Sequence, residues 1–165
     1  MTEVYKGRNI SIEKKKVVLP NGYRKEGLIV HPGDAVAILP IEELDCYLLS
    51  QYRYCIEDYI IEAPAGKCEP GESPILTAKR ELAEETHLNA ERLTSLGTIF
   101  TTPGYSDEII HLFLAEGLTK SENYPMDDDE IIEVRRFSLD EVKNMILNGR
   151  ITDAKTICLF YKAFQ

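Results

Sequence analysis

Between Gly66 and Leu88 the chain reads GKCEPGESPILTAKRELAEETHL. Glu81, Glu84 and Glu85 fall within about a turn of one predicted helix, and Glu72 stands just ahead of it. Side chains four residues apart share a helix face, so Glu81 and Glu85 point the same way. Arg80 lies four residues before Glu84, where its planar fork can hold that carboxylate in place. Unscreened carboxylates this close repel and raise each other's pKa. A hard, oxygen-seeking cation, Mg²⁺ or Mn²⁺, turns the same crowding into a binding site. Read from charge spacing alone, a solvated acidic helix face stands beside the metal site as the other reading.

The stretch has more pattern than a charge run. Gly66, Glu72 and then Arg80-Glu81-Leu82-Ala83-Glu84-Glu85, at these spacings, resemble the Nudix box, the signature of the Nudix hydrolases. Further pieces resemble the ADP-ribose pyrophosphatase branch of that family: Gln51-Tyr52-Arg53, Glu62-Ala63-Pro64-Ala65-Gly66 and Thr102-Pro103-Gly104-Tyr105-Ser106. An acidic run, Asp127-Asp128-Asp129-Glu130, and the strands ahead of Ala35-Val36-Ala37-Ile38-Leu39-Pro40 extend the likeness over most of the chain. One position departs from the pattern: the family has Gly two residues after the last Glu, and this chain has His87. Just past a helix the left-handed conformation is favoured and Gly adopts it most cheaply. Histidine tolerates it better than branched residues do. The expectation is a local cost or an altered helix exit, with the metal site retained.

The resemblance implies hydrolysis of the pyrophosphate bond in a nucleoside diphosphate linked to another group, with ADP-ribose cleaved to AMP and ribose 5-phosphate. Metal ions suit that reaction because negative charge spreads over phosphate oxygens while a water attacks. By the same resemblance Glu81, Glu84 and Glu85 are metal ligands, the Ala65 carbonyl completes the set, and Arg80 orients carboxylates. Glu84 and Glu85 also count among the catalytic residues. The general base falls in the acidic run, with Asp128 and Glu130 as leading candidates. Arg53 grips substrate phosphate, Glu62 either contacts substrate or orients its turn, and Gly104 shapes a loop lining the terminal ribose. Tyr52 or Tyr54 could stack on the base, with ordinary packing as the alternative, and His31 and His111 read as structural. GDP-mannose is the nearest rival substrate, and a non-catalytic ADP-ribose sensor is the rival from another class.

These residues need a scaffold. Pro20-Asn21-Gly22 suits a hairpin turn with positive φ between strands at 10–19 and 23–30. Further strands are predicted at 35–39, 47–52, 59–62, 96–101, 109–115 and 131–137. A helix starts after Ser73 with Pro74 at its first position and runs to about Thr86, burying Ile75, Ala78, Leu82 and Thr86. A second opens on the capping box Ser138-Leu139-Asp140-Glu141 and stops near Asn148-Gly149. A third spans about 153–164. Strands and helices without regular alternation argue an α+β class. The resemblance makes it a Nudix α/β/α sandwich with a mixed sheet, preceded by an N-terminal antiparallel hairpin. One domain over 1–165 is expected, with residues 1–34 as a dimerising extension and 35–165 as the catalytic core, so the partner is a second copy of the chain.

Composition bounds the partners. Nineteen Lys and Arg against 28 Asp and Glu leave a formal charge of −9, a field that repels nucleic acid and anionic membrane. An anionic substrate therefore needs local positive charge, most simply a divalent metal. No apolar run approaches the roughly 20 residues of a bilayer span, and residues 1–6 lack the apolar core of a secretory signal. Four cysteines without a CxxC pair suit free thiols in a reducing, cytoplasmic setting.

Overall fold

The computed structural model of the chain describes residues 2–7, 10–121 and 131–164. Its first strands, β1 (Thr2–Lys6), β2 (Ser11–Val18) and β3 (Arg24–His31), form an antiparallel sheet of their own, in that order. The predicted hairpin is the β2–β3 part. Gly22 turns the chain at φ 81°, and the Tyr23 N–H donates to Asn21 Oδ1. The third strand, β1, is an addition to the predicted pair. All five of its residues are exposed, so no buried face imposed an alternation that the sequence could show.

The remaining strands build one mixed sheet. It comprises β4 (Ala35–Glu42), β5 (Asp45–Arg53), β6 (Asp58–Glu62), β7 (Ala65–Lys67), β8 (Leu88–Phe100), β9 (Ile109–Lys120) and β10 (Ile132–Ser138). The order is β10-β5-β4-β9-β8, with β6 paired to β5 and β7 paired to β4. Among the described residues of this sheet, only the β4–β9 pairing is parallel. As a central strand covered on both faces, β4 has a continuous apolar run.

Side-chain alternation along β4 divides the core. Val36 and Ile38 face helix α1 (Pro74–Thr86), packing with Ala78, Leu82, Phe113 and Ala115. Ala35, Ala37 and Leu39 face the other way, toward Val142 and Met145 of α2 (Leu139–Leu147) and Leu159 of α3 (Ala154–Ala163). Helices on both faces of a mixed sheet make the α/β/α sandwich that the resemblance implied. Ile75 is a correction: it is 43% exposed, and Thr77 takes its expected place among the buried residues of α1. Ser138 caps α2 by accepting the Glu141 N–H at 3.2 Å, whereas Ser73 stands at the α1 N-cap without a side-chain cap bond.

The two sheets are tied together beside the 102–106 loop. The Val30 N–H donates to the Tyr105 carbonyl at 2.8 Å. His31 Nδ1 lies 2.6 Å from Asp107 Oδ2. His111 Nε2 is 3.5 Å from Asp34 Oδ2. Both histidines therefore have carboxylate partners in the framework.

Candidate active site

The glutamates of α1 meet strand β7. Proline at the first helical position starts α1 in a fixed φ, and the helix then carries Glu81 and Glu85 on its buried side. Glu85 Oε2 accepts the Ala65 N–H at 2.8 Å. The Glu81 carboxylate lies directly over Gly66, where a Cβ would fall 1.9 Å from its carboxyl carbon. Gly66 is thus needed for space at this contact, not for an unusual backbone angle.

Arg80 organises the cluster. Its Nη1 donates to Glu81 Oε1 at 2.7 Å and to Glu84 Oε2 at 2.9 Å. Its Nη2 donates to Glu72 Oε2 and to the Lys67 carbonyl, both at 3.1 Å. Glu72 also accepts from Thr77 Oγ1 at 2.8 Å. The Arg80 hydrogen bonds hold the Glu72 carboxyl below the usual carboxylate range. Burial works against the Arg80 cation, but Glu72, Glu81 and Glu84 outweigh it and raise its pKa. One arginine thereby offsets the mutual repulsion of three carboxylates.

A second charged network stands beside the first. Glu62, at the end of β6, is 1% exposed. Its Oε1 accepts Arg53 Nε at 2.7 Å, and its Oε2 accepts Lys155 Nζ. Lys155 also donates to Asp153 Oδ1 at 3.0 Å. Asp153 caps α3 by accepting the Thr156 N–H at 2.9 Å, and Thr156 Oγ1 receives the Ala63 N–H at 2.7 Å. The Glu62–Gly66 segment is therefore pinned by α3 on one side and α1 on the other. Burial works against the Arg53 cation, but Glu62, then Glu85 and Asp153, raise its pKa, so Arg53 feels both networks.

The structure gathers Arg80, Glu81, Glu84, Glu85 and Ala65 into one cluster and joins Arg53 to Glu62. Gly104 sits elsewhere, in a cleft of about 320 Å³ between the N-terminal sheet and its own loop, with Lys15, Val17, Leu28 and Tyr105. Tyr52 is set edge-on to Tyr59 with ring centroids 5.3 Å apart, and Tyr54 is 81% exposed. Asp127, Asp128, Asp129 and Glu130 lie outside the described residues. Of the two expectations at His87 the local cost holds: it takes the left-handed exit that Gly would take, with φ 55° and ψ 33°, its N–H donating to the Ala83 carbonyl. Sequence reasoning missed Lys155, Asp153 and Thr156 as part of the site. The Asp153-x-x-Thr156 spacing signals the helix cap, but nothing local to it names Glu62 or Ala63 as partners.

A model of the NUDIX domain family matches residues 31–160. A Bacillus methanolicus protein named methanol dehydrogenase activator is 41% identical over 157 residues, covering 94% of this chain and 85% of its own. A Bacillus subtilis ADP-ribose pyrophosphatase is 40% identical over 157 residues, covering 93% and 84%. Among solved structures, an ADP compounds hydrolase superposes with a TM-score of 0.86 at 24% identity, covering 98% of this chain and 88% of that one. The chain belongs to the NUDIX domain family and is a Nudix hydrolase.

Nudix hydrolases generally use divalent metal ions, and the donors here suit one. Glu81, Glu84 and Glu85 offer oxygen alone, the chemistry a hard cation takes. Among the described residues no three His, Cys, Asp or Glu side chains form a ready-made metal cage. Mg²⁺ does not require one, because it keeps several waters and takes one or two carboxylates together with substrate phosphates. The Glu81 carboxylate seated on the bare backbone of Gly66, next to Ala65, is consistent with such a partly open site.

Proposed function

We propose that this chain hydrolyses the pyrophosphate bond of ADP-ribose to AMP and ribose 5-phosphate. The observation carrying this reading is the α1 cluster, in which Glu81 and Glu85 lie against β7 and Arg80 spans Glu72, Glu81 and Glu84. The name of the B. subtilis relative supports the substrate. Glu81, Glu84, Glu85 and the Ala65 carbonyl would hold Mg²⁺ or Mn²⁺, which when bound stabilises phosphate charge and acidifies water. Arg80 keeps the carboxylates in register. Arg53, anchored through Nε, offers its remaining donors to a phosphate. Glu62 fixes Arg53, so it orients the grip rather than touching the sugar. Asp128 and Glu130 remain the proposed bases, and Gly104 the shaper of the ribose loop.

The proposed catalytic unit is 35–165. Residues 1–34 would join two copies, since the N-terminal sheet exposes Val4, Tyr5, Val18, Leu19, Tyr23 and Leu28. No helix among the described residues is long and apolar enough to cross a membrane. The four free thiols suit a cytoplasmic setting, and the charge of −9 disfavours nucleic acid. A regulatory reading has one observation behind it, the name of the B. methanolicus relative.

The test is a screen of the purified chain against ADP-ribose, GDP-mannose and dinucleoside polyphosphates with Mg²⁺ or Mn²⁺, beside Glu85→Gln. We expect ADP-ribose to be cleaved fastest and Glu85→Gln to lose at least about 100-fold in rate. Preference for GDP-mannose would replace the substrate, binding without turnover would favour a sensor, and an equally active variant would remove Glu85 from the chemistry.

A further inference from the structure

The geometry points to Lys155, on the first turn of α3, as a positioning residue that keeps Arg53 available to substrate phosphate. The inference rests on the reading of Arg53 given above and adds a residue whose role that reading leaves open.

Glu62 is the pivot. It is a buried carboxylate with one oxygen on Arg53 Nε and the other on Lys155 Nζ. Arginine and carboxylate prefer to meet as two parallel bonds, fork to fork. Here Lys155 occupies the second oxygen, so Arg53 is held by Nε alone. Among the described residues its two Nη groups have no hydrogen-bond partner, and its side chain is 40% exposed. Lys155 is itself 12% exposed and bridges Glu62 to Asp153, so its position is fixed from two sides.

Charge balance acts in the same direction. Two cations, Arg53 and Lys155, face two carboxylates, Glu62 and Asp153. Without Lys155, the Arg53 charge would be drawn further toward Glu62 and Asp153, which together with Glu85 already act on it. The second Glu62 oxygen would also be open to an Arg53 Nη. Both changes withdraw the guanidinium from an incoming phosphate. They should weaken substrate binding while leaving the Arg80 bonds that hold Glu81 and Glu84, and hence most of the bond-breaking machinery, in place.

The experiment is a double-mutant cycle on the full chain with ADP-ribose, using Lys155→Met, Arg53→Ala and the double variant, with Lys155→Arg as the conservative replacement. Lys155→Met should raise KM about tenfold with kcat within about twofold, the size expected for a lost bond to a charged group. In the Arg53→Ala background the same change should move KM by less than about twofold, because the residue through which it acts is gone. Lys155→Arg, which can refill the second oxygen of Glu62, should restore KM. If Lys155→Met does not fold, Lys155→Ala takes its place in the cycle, since it leaves the second oxygen of Glu62 without a donor and brings no new side chain into the buried space. A lysine that only stabilises α3 would lower the melting temperature and leave KM unchanged, or give independent effects in the two backgrounds. Either result overturns the inference while the Arg53 reading stands. An unchanged KM in Arg53→Ala alone would overturn the Arg53 reading, and this inference with it.

Discussion

Gly66→Ala is the smallest change that tests the geometry of the acidic cluster. The backbone at Gly66 is not in the left-handed region, so alanine can adopt it without strain. Its Cβ, however, would lie 1.9–2.2 Å from the three carboxyl atoms of Glu81, where ordinary contact begins at 3.4 Å. The carboxylate must therefore retreat by about 1.5 Å, or β7 must move from β4 by a similar amount. A misplacement of about 1 Å in a catalytic group costs roughly 100-fold in rate. Stability should change little, since alanine restricts the unfolded chain by about 0.4–1 kcal/mol and offsets part of the disturbed Arg80–Glu81 pair. The expected outcome is a kcat/KM for ADP-ribose lowered about 100-fold at saturating Mg²⁺, with the melting temperature within about 4 °C of the parent. Activity within twofold of the parent would refute the argument that Glu81 must sit on the bare backbone of β7.

His87→Gly should stabilise the fold, because it relieves a left-handed residue at the α1 exit. The gain is about 1 kcal/mol, read as a rise of roughly 2–4 °C in thermal unfolding with activity retained, and no rise would mean that His87 contacts offset its strain. Burial pushes the Cys46 thiol up to about 12, whereas Cys55 is exposed. Alkylation at about pH 8 followed by peptide mapping should therefore label Cys55 within minutes and Cys46 only after denaturation. Labelling of native Cys46 at a similar rate would contradict the packing of β5 against α2.

The parts legible in the sequence were those whose logic is local. Arg80, Glu81, Glu84 and Glu85 lie on one short helix, so spacing alone brought them together, and the structure joins them through Arg80. Asn21-Gly22 marked its turn for the same reason. Strand β7 was missed because three residues carry no period, although it receives Glu85. The first half of β8 was missed because Leu88–Ser95 is mostly polar and half-exposed; its pairing with β9 makes it a strand. Ile75 misled in the opposite sense, an apolar residue at helical spacing that faces outward. The Lys155–Glu62 contact lay beyond any local rule, since it joins residues 93 positions apart.

The parallel pairing at the centre of the sheet also constrains how the protein is made. Ala35 pairs with Ile110 and Pro40 with Ala115, so the middle of the sheet stays open until β9 has left the ribosome. Such distant closure slows folding and leaves the apolar β4 exposed while synthesis continues. The Glu62 carboxylate waits longer still, because its lysine partner follows it by 93 residues. A nascent chain stalled before α3 would have its acidic helix but not the lysine that completes the Glu62–Arg53 contact.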